Sequence, residues 1–364
     1  MISIKRYTIS ELLSLTKSPT YTKMDAVPIS RHRAKSYVQN PRANPDDVVL
    51  YLAYFNGEMV GYRTLLPDIV SIGNTTQRVA WLSGNWVKPG FRRKGIASLL
   101  FNEANSDWNG NMLYTNYALE SKAVYDKTGQ FKLIQSAKGV RLYLRPCFWS
   151  ILSNRGKVFR LLKPLWLTAD FILTFINPLP LVARFLNVKG LQFENLHRAD
   201  DELALIFEKA TLTTPTQRKR QELDWIVDNP WLVSSPMGDR LGEKYFFSAS
   251  PKRFEQYLVK VCRGDNLLGF VIVNITDGAV SVPYLHCQSA DTKVFAKLVA
   301  KYAMAIGGNR LTVYHAEVAD AIKRLMPFAL LSRVQYRNYF ATDALANRLK
   351  GVNFLEGDGD CAFV

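Results

Sequence analysis

Cysteine and histidine are both scarce in this chain. The four cysteines, Cys147, Cys262, Cys287 and Cys361, stand apart with no C-x-x-C spacing, and the four histidines, His32, His197, His286 and His315, are equally scattered. A zinc site needs clustered nitrogen and sulfur ligands, so no metal is expected. Cysteines this few and unpaired suit a reducing compartment rather than a disulfide scaffold. The N-terminal Met1-Ile2-Ser3-Ile4-Lys5-Arg6 lacks the apolar core of a signal peptide. A cytoplasmic location is therefore expected, with peripheral attachment to the inner membrane face left open. Acidic residues are also in deficit, 31 against 47 lysines and arginines, for a net charge of +16. Such an excess fits either a solvated basic surface or an acidic partner: nucleic acid, anionic lipid or a phosphorylated ligand.

What is present is ordinary globular sequence, 48% hydrophobic and 21% charged over 364 residues, a length that predicts two domains. Val48 to Phe55 is rich in β-formers, Asn56-Gly57 is a hairpin turn, and Met59 to Leu66 returns. A further strand, Val79 to Val87, stops at Pro89-Gly90, and Ile96, Leu99, Leu100 and Ala104 share one face of a helix. A strand over 112–117, a helix over 120–127 and strands over 131–134 and 140–144 complete the first half. The second half repeats the order: strands over 257–262, 269–275 and 280–285, a helix over 292–305, a strand over 311–314 and a helix over 316–325. A helix ending in Asn-Pro precedes each hairpin, at Asn40-Pro41 and Asn229-Pro230. Matching element orders point to a duplicated fold.

Between the halves, residues 148–190 are rich in Trp, Phe and Leu and carry Arg155, Lys157, Arg160, Lys163, Arg184 and Lys189 against the single acid Asp170. The longest uncharged run, Phe171 to Ala183, contains Pro178 and Pro180 and falls short of the ~20 residues that span a bilayer. This segment is expected to pack between the two halves. The alternative is that it lies on an anionic membrane surface.

The stretch most informative about chemistry is Asn85-Trp86-Val87-Lys88-Pro89-Gly90-Phe91-Arg92-Arg93-Lys94-Gly95-Ile96-Ala97. A strand runs through a tight turn directly into a helix, which leaves backbone N–H groups unpaired at the positive end of the helix dipole. That is a site for a pyrophosphate. Gly95 and the small Ala97 let the main chain approach it, and Arg92, Arg93 and Lys94 add charge at the rim.

Val87, Pro89, Arg92, Gly95 and Ala97 match V-x-P-x-x-[RQ]-x-x-G-x-[GA], and the segment resembles motif A of the GNAT superfamily of N-acetyltransferases. The resemblance implies an α+β fold of tandem GNAT-like units, each a mixed, mostly antiparallel sheet flanked by helices. Residues 1–147 would be the transferase domain, 148–190 a helical linker and 191–364 a degenerate second unit. It also implies acetyl-CoA as cosubstrate, held by Trp86, Val87, Arg92, Arg93, Lys94, Gly95, Ile96 and Ala97. The N–H of Trp86 or Val87 would contact the acetyl carbonyl. Glu120 to Phe131 resembles the family segment around its acid tyrosine, which makes Tyr125 the candidate general acid for the departing thiolate. Ala118 stands where the family often has Asn, with Asn116 nearby, and Gly129-Gln130-Phe131 replaces the usual Gly-Phe. For the general base, Asp68 and Glu58 on the hairpin are the available acids, with a water relay as the alternative.

In the second half His286-Cys287-Gln288-Ser289-Ala290-Asp291 occupies the place of the phosphate turn without its Arg and Gly, so coenzyme A is not expected there. His286 and Cys287, adjacent on a strand, point to opposite faces and are expected in core or edge positions rather than as a nucleophilic pair. Gly357-Asp358-Gly359-Asp360 is expected to be a final turn, not a calcium loop. The activity implied is acetyl transfer to a primary amine of a small molecule or peptide. The alternatives are a Fem-like aminoacyl transferase using tRNA, although nucleic acid is not the expected partner, and a non-catalytic coenzyme-A-binding regulator at the membrane surface.

Overall fold

The computed structural model describes residues 1–115, 125–177, 186, 188–235, 240–247, 250–327, 329 and 331–363. The chain forms two compact units, each built from separate stretches of sequence. Unit 1 comprises Met1–Ser136, Leu196–Phe254 and Arg337–Val364; unit 2 comprises Ala137–Asn195 and Glu255–Tyr336. The chain therefore changes unit inside strands and short connections, not at the expected cuts after 147 and 190.

In unit 1 the strands are β1 (Ile2–Thr8), β2 (Val48–Phe55), β3 (Glu58–Ile72), β4 (Thr75–Val87) and β5 (Met112–Thr115), followed by β6 (Phe131–Tyr143), which leaves the unit after Ser136. The Asn56-Gly57 turn works as its residues require, with φ of 49° and 81°, and sets the β2–β3 register. The place beside β5 is taken by the last strand of the chain, β12 (Leu331–Thr342), through Tyr339↔Thr115, Phe340↔Tyr114 and Ala341↔Leu113. The residues expected to close this unit, Val140 to Leu144, lie instead in unit 2. There Val140 to Tyr143 pair antiparallel with β11 (Arg310–Val313). Alternation of apolar residues fixes which face of a strand is buried but carries no label for its neighbour, so the exchange was invisible in the sequence.

Unit 2 has strand order β6-β11-β10-β9-β8-β7, with β7 at Gln192–Leu196, β8 at Phe254–Arg263, β9 at Asn266–Thr276 and β10 at Ala279–Cys287. Pro283 is tolerated inside β10 because the register shifts between Ser281 and Tyr284. The core of this unit packs Phe295, Leu298 and Val299 of the helix Thr292–Ala305 against Val271, Val273, Val280 and Val282.

The helices of unit 1 include α1 (Ile9–Lys17), α2 (Pro19–Lys23), α3 (Arg31–Val38) and α4 (Ile96–Asp107). Unit 2 continues with α5 (Phe148–Leu152), α6 (Lys157–Leu161) and α7 (Lys163–Ile176). No residue of α7 is buried. Among the described residues no helix is long and apolar enough to cross a membrane.

The three stretches of unit 1 meet in a buried ion network. Asp68 on β3 accepts from Arg42 (2.9 Å), Arg218 (2.9 Å) and the indole N–H of Trp81 (2.9 Å). Arg218 also binds Asp358 of the C-terminal stretch at 2.9 Å, and Arg42 binds Glu222 at 2.9 Å. Arg218 and Asp68 are each 2% exposed and Asp358 is fully buried, so removing one partner strands the others without water. Burial alone would raise the Asp68 pKa, but the Arg218 and Arg42 charges and the Trp81 bond overcome it and hold the carboxyl below its usual range.

Arg218→Ala should cost about 3–5 kcal/mol, as for one partner removed from a buried pair, measured by chemical denaturation. The depressed Asp68 pKa makes its share of stability complete above the unfolded pKa of ~4 and lost as pH falls through the folded value. The wild-type margin over Arg218→Ala should therefore narrow in acid.

Candidate active site

The turn between β4 and α4 has the geometry its sequence demands. Pro89–Phe91 form one turn of 3-10 helix, Arg93 and Gly95 have φ of 64° and 79°, and Gly95 caps α4. A Cβ at Gly95 would meet nothing within 4 Å, so it is the backbone conformation, not crowding, that calls for glycine. A positive φ at the non-glycine Arg93 is held strain of the kind that gathers at binding turns. Arg92, Arg93, Lys94 and Gly95 are exposed. Among the described residues, no main-chain carbonyl accepts from the N–H groups of Arg93 to Ser98. Several free donors at the positive end of a helix, with three cations beside them, give this turn a positive potential that faces solvent. Arg92 itself leans back onto the Val87 carbonyl at 3.3 Å, and the Lys94 ammonium lies 4.9 Å from the centre of the Phe91 ring.

The parallel pairing of β4 with β5 comprises Ala80↔Met112 and Trp81↔Leu113, and among the described residues it goes no further. The register of β3 against β4 shifts at Leu65, leaving Ser83 as an extra residue that bends β4 away. Lys88 donates to the Val60 carbonyl at 2.9 Å. In an antiparallel pair, amides alternate between the two sides of a strand. The Trp86 amide therefore faces β3, while the Val87 amide points to the opposite side of β4. Of the two candidates for the acyl carbonyl, Val87 has the appropriate direction.

Two sets of side chains lie on opposite faces of β3 and β4, because neighbouring strand residues alternate. On the face carrying α4, Arg63 is fully buried and its Nη1 donates to the Tyr125 hydroxyl at 3.1 Å. The Tyr125 ring lies against Tyr114 of β5 (4.6 Å between centroids) and Phe101 of α4 (6.1 Å). Accepting from Arg63 leaves the phenol proton of Tyr125 free to be given away. Arg63 Nε and the Oδ1 of its cross-strand neighbour Asn85 are buried without partners among the described residues. Unpaired polar atoms in such a place are costly unless a ligand or water meets them. Residues 116–124, including Asn116, Ala118 and most of the helix expected over 120–127, lie outside the described residues; 125–128 are helical.

On the other face Arg33 of α3 donates to Tyr245 (2.7 Å), Tyr37 (2.8 Å) and Thr64 (3.1 Å). Its guanidinium carbon lies 4.1 Å from the centre of the Trp231 ring. Gly84 makes room for this cluster, since a Cβ there would sit 2.4 Å from the Thr64 hydroxyl. Trp86 stacks on Tyr62, and Tyr62 on Tyr245, with centroids 5.4 and 6.2 Å apart. Into this face comes the tail of the chain. The Asp360 carboxylate accepts from Ser83, the extra residue of β4, at 2.8 Å and from Thr115, the last residue of β5, at 3.3 Å. It bridges the two strands where they part. Burial raises the Asp360 pKa, against the lowering effect of the Ser83 bond and the Arg33 charge. Gly359 has φ of 73° and lies so close to Trp81 that a Cβ would fall 2.8 Å from the indole. The expected final turn over 357–360 is present, as the 3-10 turn Gly359–Ala362, and it delivers a carboxylate.

Neither acid considered from sequence serves as a base. Asp68 is consumed by two guanidiniums and an indole, and Glu58 pairs with Lys88 on the rim of the hairpin.

Residues 11–108 match the sequence model of the Acetyltransferase (GNAT) family. This stretch is a GNAT-family domain. No curated protein sequence matches the chain significantly. Among solved structures, similar folds include a tandem GNAT protein from the clavulanic acid biosynthesis pathway (14% identity, TM-score 0.50, covering 94% of this chain and 98% of that one). Another is the Saccharomyces cerevisiae N-myristoyltransferase with bound myristoyl-CoA (10% identity, TM-score 0.52, 97% and 90% covered). A third is a probable N-acyltransferase from Enterococcus faecalis V583 (10% identity, TM-score 0.50, 93% and 72% covered). At these identities the likeness concerns fold: the chain has the tandem GNAT architecture.

Unit 2 has the fold without the anion turn. The helix Thr292–Ala305 begins after Asp291, and Thr292 donates to Glu317 at 3.0 Å, so acids stand where the GNAT domain has cations. Burial pushes the Cys287 thiol up to about 11 and lowers the His286 pKa, which leaves both neutral and suits the core or edge role expected of them. Among the described residues no group of acids, histidines and cysteines could hold a metal ion. Since only the thiolate alkylates, Cys287 should react with iodoacetamide at neutral pH at least tenfold more slowly than an ordinary thiol of pKa ~8.5. Labelling at the rate of an ordinary thiol, read by peptide mass spectrometry, would contradict the assignment.

Proposed function

We propose that the GNAT domain transfers an acetyl group from acetyl-CoA to a primary amine. What supports this reading is that the described β4–β5 pairing stops at Trp81 and Leu113, which would leave a gap running to the free amides at the start of α4. The pyrophosphate would take the N–H groups of residues 93–98, with Arg92, Arg93 and Lys94 at the rim and Ile96 and Ala97 forming the first turn of the helix. The pantetheine arm would lie in the gap, where the buried, unpartnered atoms of Arg63 and Asn85 offer a donor and an acceptor of the kind its amides need.

The acceptor nitrogen would approach from the Asp360 face and attack the thioester carbonyl carbon. The Val87 amide lies in position to stabilise the negative oxygen that forms. As the carbon–sulfur bond breaks, the nitrogen's proton passes to Asp360 and the thiolate takes the phenol proton of Tyr125. Arg63 stands beside the phenolate oxygen left behind. One carboxylate and one phenol, on opposite faces of one gap, thus divide the two proton transfers.

Acetyl-CoA should raise the melting temperature of the wild type and leave Gly95→Trp unmoved, because the new side chain blocks the turn. Stabilisation by myristoyl-CoA but not by acetyl-CoA would replace the acetyl assignment with a longer acyl group.

In an amine screen read by thiol release, Tyr125→Phe should lose about 10²–10⁴-fold in turnover, the range for one general acid or base, while retaining the acetyl-CoA shift. Asp360 works only when ionised, so wild-type kcat/KM should fall in acid along a limb set above the ordinary aspartate range. Asp360→Asn should lower the rate and remove that limb. A normal rate for Tyr125→Phe, or an unchanged acid limb in Asp360→Asn, would defeat the respective role.

A further inference from the structure

The strongest unexplained surface lies on α5, α6 and α7. Leu161 is 81% exposed, Phe175 75%, Val158 and Ile176 68%, Phe171 66% and Leu165 55%. A helix whose apolar residues all face water has no reason to be stable there, since helices of this length take most of their stability from burying one face. Solitary exposed apolar residues need no explanation, but a contiguous set marks a surface that something covers.

The charge distribution identifies what covers it. Arg155, in the turn between α5 and α6, and Lys157, Arg160 and Lys163 on α6 and α7 are exposed. The segment's one acid, Asp170, is turned inward, its two oxygens accepting from the backbone N–H groups of Phe148 (2.7 Å) and Trp149 (3.2 Å). The surface thus combines large apolar side chains with positive charge only. A second copy of the chain would bring the same four cations against these four and be repelled. An anionic bilayer offers hydrocarbon to the apolar residues and phosphates to the basic ones. At 14 residues α7 is about 21 Å long, well short of the ~30 Å hydrocarbon core, so it would lie in the interface. Asn177 ties the end of α7 to the sheet, donating to the Leu144 carbonyl at 2.8 Å, which makes the helix a fixed platform of unit 2.

We infer that α5 to α7 form a docking surface for anionic membranes, through which the enzyme works on a bilayer face. Sedimentation of the full chain with phosphatidylglycerol-containing vesicles and with pure phosphatidylcholine vesicles tests this. Wild type should pellet with the anionic vesicles far more than with the neutral ones, and added salt should release it. Lys157→Glu with Arg160→Glu should weaken anionic binding by roughly 30-fold or more. Phe171→Ser with Phe175→Ser should weaken it while leaving the chain's melting temperature and its response to acetyl-CoA unchanged, which separates docking from coenzyme binding. Wild type remaining in the supernatant with anionic vesicles, or equal pelleting of the charge-reversed variant, would overturn the inference. So would a wild-type dimer in gel filtration that Phe171→Ser with Phe175→Ser breaks apart.

Discussion

Asp68 and Asp358, with the guanidinium of Arg218 between them, join three stretches of unit 1 that are far apart in the chain. The β3 strand supplies one carboxylate, the C-terminal stretch the other, and the segment 196–254 the cation. Because the group is buried, its members are strongly committed to one another: a chain lacking any of them would have to expose charges that the fold otherwise keeps dry. Asp358 is held by Arg218, by Thr216 at 3.1 Å to both oxygens and by the Leu355 amide at 2.9 Å. Two residues later stands Asp360. The ion network thus acts as a clamp on the tail, and the tail's placement between Ser83 and Thr115 depends on it.

This dependence accounts for the composition of the candidate site. The anion turn is local, made by a strand, a tight bend and a helix contiguous in sequence. The proposed proton acceptor, Asp360, comes from the last few residues of the chain, and the aromatic wall around Arg33 from Trp231 and Tyr245. On the proposed reading, coenzyme recognition would belong to the N-terminal stretch that matches the GNAT family, whereas the face offered to an amine would be assembled with residues from the segment 196–254 and the C-terminal tail. A family match limited to residues 11–108 covers the turn and says nothing about the acceptor side.

The same division explains what could be read from sequence. Val48–Phe55, Thr292–Ala305 and Ala316–Leu325 begin and end where their periodicity and punctuation put them, because local rules suffice for a hairpin turn or an amphipathic helix. The motif running from Val87 to Ala97 was legible for that reason too. Partner choice was not. Val140 to Tyr143 had the alternation of a strand, but its neighbour β11 lies about half a chain away. Nor was Asp360 legible, since a single Gly-Asp-Gly-Asp near a terminus has the look of a plain turn. The one local hint was Gly359, which the packing against Trp81 requires. Arg63 carried no signal at all: an arginine inside a strand reads as an edge or surface residue until Tyr125 is seen above it.

The two units show which part of the architecture is generic and which is specific. Both have a hairpin, a third strand with a register shift, and a helix after it. What differs is a handful of residues where that strand meets its helix. In unit 1 the junction has three cations and a left-handed glycine. In unit 2 it has Asp291 as the capping residue and Glu317 hydrogen-bonded one step further on. A helix N-terminus attracts anions, and side-chain carboxylates can satisfy it as well as a phosphate can. Acids at this junction, in place of cations, would repel a phosphate. Unit 2 thereby retains the fold without the cationic turn of unit 1, and its exposed, basic, apolar helices are where the proposed membrane docking would take place.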